Sequence, residues 1–374
     1  WPPSPRTNPF IPAYLQRELN MPHATPSREL LFCQQVLQQL KNTRQQLIFS
    51  HAEQSESIPL QPSALISAVA LEDQPKQPEK KERPCLETLI DEQAPPVGQN
   101  DAIRGGSSIL QRQAACPFQA FALSRLHAYP LEEPAAGLNA RERGTLLHAS
   151  LENIWQGLKT QAALQSLTEQ TLKDKIALSV DHALKKIQHK SLSETYLLLE
   201  KERLIALITT WLTLEKTRAD FTVVACEQQI SLCIEQLNLT LRIDRIDQLH
   251  TGESVLIDYK TGSASPQSWL GDRPDQPQLP LYTLAFQKEI SAISFAKLSQ
   301  EHCKFIGIST QENILPNVKP QKDTDFAQLQ TQWRAALKTL AKEFMQGVSS
   351  VNPKNREATC RFCKLAGLCR ITKE

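Results

Sequence analysis

The spacing of apolar residues predicts helices mainly in the first half of the chain and strands mainly in the second. Helices are predicted where apolar side chains recur every three to four residues: residues 27–43, 107–128 with a break at Cys116-Pro117, 141–158, 161–218, a segment beginning at 275, and 324–347. Strands are predicted where apolar and polar residues alternate or an apolar run is short: residues 46–50, 221–235, a hairpin over 241–262, 293–298 and 304–308. This mixture indicates an α/β chain.

Proline and charged residues interrupt these patterns over residues 71–104, which indicates a linker. Residues 1–70 show a helix and then a strand with no beginning of their own, which is typical of the tail of an upstream α/β domain. Residues 105–374 hold the remaining elements. The first residues, WPPSPRTNPF, lack an initiator Met and the basic and apolar regions of a signal peptide. We therefore expect the chain to be part of a longer protein.

The hairpin, LRIDRIDQLHTGESVLIDYKTG, places charged residues directly beside apolar strand positions. Side chains alternate faces along a strand, so Asp258 and Lys260 point to one face and Tyr259 to the other. A second carboxylate converging on Asp258 would complete a site for a hard divalent cation such as Mg²⁺ or Mn²⁺. An amine nearby can orient a water or stabilise charge that builds up on a phosphate.

The length of the turn decides which aspartate joins Asp258. Asp244 and Asp247 are three residues apart, so they lie on opposite faces of their strand. A three-residue loop over 251–253 sets Asp244 opposite Lys260, on the face of Asp258. A two-residue loop shifts the pairing by one and brings Asp247 to that face instead. Strand geometry alone leaves this choice open.

Asp244 followed by Asp258-Tyr259-Lys260 resembles the D…(D/E)-x-K signature of the PD-(D/E)XK nucleases, and LRIDRID…LIDYKTG resembles their RecB/AddB-type branch. The resemblance extends over roughly residues 105–370 and selects Asp244 over Asp247 as the metal ligand, so Asp247→Asn is expected to be much milder than Asp244→Asn. It implies a restriction-endonuclease-like core: a central mixed sheet flanked by helices, with residues 161–218 as a helical insertion. The implied activity is an exonuclease-type, Mg²⁺-dependent hydrolysis of DNA in double-strand-break repair and recombination.

Two further motifs of that family match this chain. Gly144-x-x-x-His148 resembles the motif in which a helical histidine joins the metal, although a lone histidine is more often structural. Glu152, four residues on, could orient the histidine or face solvent. Gln278 and Tyr282 resemble a Q-x-x-x-Y motif whose polar pair approaches the active site and the DNA backbone. The resemblance thus implies His148, Asp244, Asp258 and the Tyr259 carbonyl as metal ligands. It implies Asp244, Asp258, Tyr259, Lys260, Gln278 and Tyr282 as the catalytic set.

Glu227 lies in the predicted strand before the hairpin, where the family often has an acidic residue near the site. A solvent-facing strand position explains this glutamate equally well.

Nine cysteines, an odd number in a chain of 374 residues, predict a cytoplasmic enzyme rather than a disulfide scaffold. Cys360, Cys363 and Cys369 are spaced like ligands of a metal or a cluster. With Cys116 upstream in a Cys-Pro-Phe context, they resemble the AddB-type iron–sulfur pattern. The resemblance implies a [4Fe–4S] cluster that clasps the two ends of the nuclease domain. Zn²⁺ is the rival, because four thiolates suit either.

Composition narrows the classes of partner. Lys and Arg number 42 against 40 Asp and Glu, so a surface for DNA must be local rather than global. The sequence has no run of 18 apolar residues, which predicts no membrane contact, and no Gly-rich phosphate loop with Lys-Ser/Thr. The expected partners are DNA and a helicase, as a subunit or as upstream domains, and the resemblance implies that residues 1–70 are the tail of such a helicase-like domain. The alternatives are a catalytically silent DNA-binding or scaffold subunit with a structural metal site of four cysteines, and a zinc-stapled interaction module.

Overall fold

A computed structural model of the chain describes the following residues: 1–43, 47–55, 57–67, 69, 91–98, 103, 105–131, 137–186, 192–300, 302–320 and 326–371. The chain divides into two units, Trp1–Thr88 and Leu89–Glu374. Most of the predicted linker 71–104 lies outside the described residues, so the domain boundaries at 71 and 105 stay predictions. None of the helices in the described ranges is long and apolar enough to cross a membrane.

The first unit contains α1 (Ala13–Glu18), α2 (Pro26–Thr43) and an antiparallel pair of β1 (Gln54–Ser55) with β2 (Ile58–Pro59). The helix predicted over residues 27–43 is confirmed. The strand predicted at 46–50 is wrong in its described part, because residues 47–50 pair with no strand and Ile48 is exposed to solvent. The interpretation of residues 1–70 as the tail of a helicase-like domain stays a prediction.

The second unit carries most of the helices and a larger sheet. Its helices are α3 (Ser107–Ala115), α4 (Pro117–Ala120), α5 (Ala140–Leu158), α6 (Gln161–Gln165), α7 (Glu169–Lys185), α8 (Glu194–Glu215), α9 (Gln278–Ala285), α10 (Phe326–Gln346), α11 (Arg356–Arg361) and α12 (Ala366–Cys369). Its strands are β3 (Phe221–Ile234), β4 (Leu237–Leu249), β5 (Ser254–Lys260), β6 (Ile290–Lys297) and β7 (Lys304–Ser309). The break predicted at Cys116 is confirmed: Pro117 has no N–H to donate and begins α4.

The five strands form one sheet in the order β3-β4-β5-β6-β7, and all neighbours are antiparallel except β5 and β6. The parallel step needs a crossover, which α9 and its flanking loops provide. Helices α5, α7 and α8 pack on one face of the sheet, and α3, α9 and α10 pack on the other. The predicted mixed sheet flanked by helices is therefore confirmed, and the predicted helical segment 161–218 is α6, α7 and α8.

Helix α5 follows its sequence pattern closely. Its predicted apolar stripe, Leu147, Leu151, Ile154, Trp155 and Leu158, is buried against the sheet. Asn139 caps the helix: its side chain accepts from the Glu142 N–H, and the Glu142 side chain accepts from the Asn139 N–H. This cap and stripe fix the rotation of α5 and so direct His148 toward the end of the sheet.

The turn between β4 and β5 settles the question that the sequence left open. Leu249 N–H donates to the Glu253 carbonyl at 2.9 Å, so the loop is residues 250–252. It has three residues, as in one alternative, but lies one position earlier than residues 251–253. The register is therefore shifted by two, and continuing it from Arg245↔Ile257 sets Asp244 beside Asp258 rather than opposite Lys260. A shift of two keeps each side chain on its face.

Candidate metal centre

The chemically active side chains meet where β4 and β5 diverge. The ladder between the two strands ends at Arg245↔Ile257. Beyond it, the Tyr259 N–H donates to Asp244 Oδ2 at 2.8 Å, so a carboxylate takes the place of a backbone acceptor. Asp244 and Asp258 are both buried at this divergence.

Among the described residues, one group of three side chains offers ligand atoms that all lie within 4.8 Å of one another: His148 from α5, Glu227 from β3 and Asp244 from β4. His148 Nδ1 lies 3.5 Å from Glu227 Oε1 and 3.5 Å from Asp244 Oδ2. Its other nitrogen, Nε2, lies 3.1 Å from the Tyr259 carbonyl oxygen. Imidazole and carboxylate donors of this kind suit a divalent cation.

The electrostatics of His148 follow from these neighbours. Burial lowers its pKa, but the charge of Asp244, hydrogen bonding to Asp244 and Glu227, and the charge of Asp258 together raise the pKa to about 10. The imidazole therefore carries a positive charge among carboxylates. Because a ligating imidazole is neutral, a cation held here would take the place of that proton.

Asp258 is a buried charge with few polar partners. It is 0% exposed, and apart from an ion pair between Lys260 Nζ and Oδ2 at 2.7 Å its oxygens have no hydrogen-bond donor among the described residues. Burial, then the charge of Asp244, raises the pKa of Asp258 to about 6, against the opposing effect of Lys260. A buried carboxylate with so few partners is costly unless a cation completes its surroundings. The residues present thus fit a divalent ion.

Lys260 is held on one side by Asp258 and on the other by Gln278, whose Oε1 accepts from Nζ at 3.2 Å. Gln278 Nε2 in turn donates to the Tyr282 hydroxyl at 2.5 Å, and that hydroxyl donates to the Arg242 carbonyl. Tyr282 is buried, so its hydroxyl orients Gln278 rather than facing solvent. Of the predicted pair, Gln278 approaches the site directly and Tyr282 acts through it.

Tyr259 contributes through its backbone. Its side chain points to the opposite side of β5, where the hydroxyl accepts from Arg245 Nη1 at 3.2 Å. Its carbonyl oxygen contacts His148 Nε2, and its role as a metal ligand stays a prediction. Glu152 bonds Gln156, four residues along α5.

Asp247 lies apart from the candidate centre. It joins Arg218, Arg245 and Glu215 in a network of ion pairs whose side chains are all 0% exposed. Arg245 bonds Asp247 at 2.6 Å and Glu215 at 2.6 Å, and Arg218 bonds Asp247 at 2.8 Å. The Arg245 guanidinium also stacks over the Trp155 ring, 3.9 Å from its centroid. Asp247 is therefore committed to two arginines and is unavailable to a cation at His148.

Glu227 is the residue of the centre that the predicted site did not include. Its backbone has φ +49°, a left-handed conformation that glutamate rarely adopts within a strand. Oε1 faces His148, and Oε2 contacts Arg242 Nε at 2.5 Å. No local pattern in the sequence predicts this conformation. The only signal was the acidic residue in the strand before the hairpin.

The predicted cysteine ligands come from two distant parts of the chain that contact one another. Cys363 Sγ accepts from Gln119 Nε2 at 3.5 Å, and Lys354 N–H donates to the Ala115 carbonyl at 2.8 Å, next to Cys116. Burial raises the pKa of Cys360 and of Cys363, and the nearby thiols of Cys116 and Cys369 raise both further. The tail therefore returns to the start of α4.

The sulfurs of these cysteines lie near one another but do not form a closed set of metal ligands. Within the described ranges, no three of them lie within 4.8 Å of one another, as they would in a closed tetrahedral zinc site, where the Zn–S bonds are about 2.3 Å.

Comparisons with known proteins bear on the family of the chain. A sequence profile described as the PD-(D/E)XK nuclease superfamily matches residues 107–370. No curated protein matches the chain. Among solved structures, the chain is similar to one titled "Crystal structure of SSO0001", with 11% identity over 71% of this chain and 96% of that chain. The TM-score of 0.28 is too low for this similarity to support an argument about the fold.

Proposed function

The chain belongs to the PD-(D/E)XK nuclease superfamily, and from this premise we propose that it hydrolyses DNA phosphodiester bonds with a divalent cation. One observation carries the proposal. Asp258 is a fully buried carboxylate whose polar partner among the described residues is the Lys260 amine, 2.7 Å from Oδ2, and it lies close enough to Asp244 for that charge to raise its pKa. Asp244 in turn belongs, with His148 and Glu227, to the group whose ligand atoms lie within 4.8 Å of one another. Buried polar atoms are normally paired; Asp258 Oδ1 has no partner among the described residues, so it can accept a cation.

Asp244, Asp258, His148 and the Tyr259 carbonyl would hold Mg²⁺ or Mn²⁺, with Glu227 as an additional carboxylate. When bound, the ion supplies a water of lowered pKa and a positive charge against the scissile phosphate. Asp244 holds the Tyr259 amide and so keeps the Tyr259 carbonyl at the site. Glu227 bridges His148 and Arg242 and fixes the direction of the imidazole.

Lys260 is the group placed to act on the substrate. Asp258 and Gln278 hold its amine at 2.7 and 3.2 Å, and the side chain remains 29% exposed. A fixed cationic donor can orient the attacking water or stabilise negative charge that develops on the phosphate. Gln278, oriented by Tyr282, restricts the positions that the amine can reach.

The finer part of the proposal concerns the biological setting. We assign the chain to the RecB/AddB-like branch, as an exonuclease-type enzyme of double-strand-break repair and recombination that works with a helicase subunit or with helicase-like domains of a longer protein. The support is the motif LRIDRID…LIDYKTG and the four cysteines that accompany it.

The direct test is cleavage of DNA by the purified wild-type chain. Linear and covalently closed circular DNA are incubated with Mg²⁺, with Mn²⁺ and with a chelator. We expect loss of linear DNA with either ion and none with the chelator; sparing of the closed circle would support an exonuclease. DNA binding without cleavage under any of these conditions would favour a silent DNA-binding subunit instead.

Cys116, Cys360, Cys363 and Cys369 would hold the proposed [4Fe–4S] cluster, and Cys363→Ala is expected to remove iron and weaken the domain. A link between residue 116 and the tail closes a loop of well over 100 residues, so its loss should lower the free energy of unfolding by about 5 kcal/mol. Iron content and urea denaturation of anaerobically purified protein measure both effects. Cys233→Ser, at an exposed cysteine, is the control and should change neither.

Two results would correct this assignment. Zinc in place of iron in anaerobic protein would remove the cluster and keep the metal clasp. Wild-type stability in Cys363→Ala, together with no bound metal in the parent chain, would remove the clasp altogether.

A further inference from the structure

Three lysines lie opposite one another on adjacent strands at one end of the sheet. The parallel pairing of β5 with β6 sets Lys260 beside Lys297, and the antiparallel pairing of β6 with β7 sets Lys297 beside Lys304. Residues directly opposite on neighbouring strands point to the same face. All three amines therefore share the face on which Lys260 meets Asp258; we call them the lysine row.

Carboxylates of the described residues balance only part of the charge of the lysine row. Like charges directly opposite one another destabilise a sheet. Asp258 offsets the charge of Lys260, but neither Lys297 nor Lys304 has an ion-pair partner among the described residues. Lys297 is half-buried and Lys304 is exposed, so their charges are held near one another and open to solvent. An external polyanion would relieve the repulsion.

The spacing of the lysine row suits a nucleic-acid backbone. Neighbouring strands are about 4.8 Å apart, so three of them span about 10 Å. One strand of B-form DNA advances about 3.4 Å per nucleotide, so the row covers about three nucleotides. It begins at the amine beside the metal centre and ends on β7, the last strand of the sheet.

The exposed arginine of β4 beside the centre is already paired. Arg242 is 59% exposed, but its guanidinium contacts Glu227 Oε2 at 2.5 Å, so its charge is offset within the protein. Lys297 and Lys304 differ from it because neither has an ion-pair partner among the described residues.

We propose that the lysine row binds successive phosphates of one DNA strand and guides that strand between the metal centre and the β7 edge. This inference rests on the proposed DNA nuclease function and adds the side of the centre on which the substrate backbone lies. Lys297 and Lys304 are positioning residues in it, since they hold the strand without touching the scissile phosphate.

The test is the double variant Lys297→Ala/Lys304→Ala, compared with wild type by fluorescence anisotropy on a labelled oligonucleotide in chelator and by cleavage kinetics in Mg²⁺. Loss of two phosphate contacts should weaken binding about tenfold and flatten the plot of log Kobs against log salt by about 1.4–1.8 units. KM should rise while kcat at saturating DNA stays within about twofold of wild type. Lys297→Arg/Lys304→Arg should restore the slope.

Two controls separate this effect from general loss of charge or of fold. Lys288→Ala/Lys342→Ala removes the same amount of charge away from the row. Lys288 precedes β6, at the other end of that strand from Lys297, and Lys342 lies on α10, so this variant should leave the salt slope unchanged. The melting temperature of Lys297→Ala/Lys304→Ala should not fall, because the change removes a repulsion.

The outcomes are distinguishable. A double variant with the wild-type slope and KM, in a chain that cleaves DNA, overturns the lysine row and leaves the nuclease function standing. A wild-type chain that neither binds nor cleaves DNA overturns both.

Discussion

Alanine in place of Lys260 or of Asp258 is expected to abolish DNA cleavage while the protein stays folded. Loss of one preorganised charged group of this kind costs at least about 10²–10³-fold in rate. Neither side chain holds the core together: Lys260 is partly exposed, and Asp258 is a buried charge repelled by Asp244. Single-turnover cleavage in Mg²⁺, with circular dichroism and thermal unfolding as checks on folding, measures the effect.

The stability of these variants carries separate information. Because Asp258 is buried with few partners, metal-free Asp258→Ala should unfold at the same temperature as wild type or higher. Mg²⁺ or Mn²⁺ should stabilise wild type and not this variant. Lys342→Ala on α10 is the matched control and should cleave normally. Cleavage at the wild-type rate in both Lys260→Ala and Asp258→Ala would remove the catalytic assignment of this centre.

Asp244→Asn should impair metal-dependent cleavage, whereas Asp247→Asn should impair the stability of the fold. Asp244→Asn should fold, since an amide oxygen can still accept from the Tyr259 N–H, and should lose metal-dependent cleavage. Asp247→Asn should lower the free energy of unfolding by about 3–5 kcal/mol, because Glu215 alone then faces two buried arginines. Urea denaturation and cleavage rate per folded molecule separate the two, with exposed Asp220→Asn as the control.

This second prediction differs from what the sequence suggests. Strand alternation indicates that Asp247→Asn is mild, because that carboxylate faces away from the metal centre. The structure shows that the other face holds a network of buried ion pairs that includes Asp247. Asp247→Asn is therefore expected to lower stability rather than catalysis. A mild stability change in Asp247→Asn would mean that the network tolerates an unbalanced arginine.

The sequence was informative where the chemistry is local. The pairing of Asp258 with Lys260 follows from alternation within one strand, and the stripe of α5 follows from its helical period. The break at Cys116 follows from one proline. Each of these features is decided by residues within a few positions of one another.

The sequence failed where distant segments decide the structure. The β4–β5 turn is displaced by one residue from the predicted loop, a difference that propensities do not resolve. The ion pairs of Arg245 with Glu215, 30 residues away, have no local signature. The lysine row requires knowledge that β5 runs parallel to β6, which only the assembled sheet provides.

Because the Tyr259 N–H donates to Asp244, the hydrogen-exchange rate of this one backbone amide should respond to a cation bound at Asp244. Amides inside a strand ladder exchange with deuterium only when the ladder opens. This amide instead depends on a single side chain, whose carboxylate is also where a cation would bind. Its exchange should therefore slow when the ion immobilises Asp244, while amides on the paired stretch of β5 keep their own rates. One peptide in a deuterium-uptake map would thus report occupancy of the centre without any substrate being turned over.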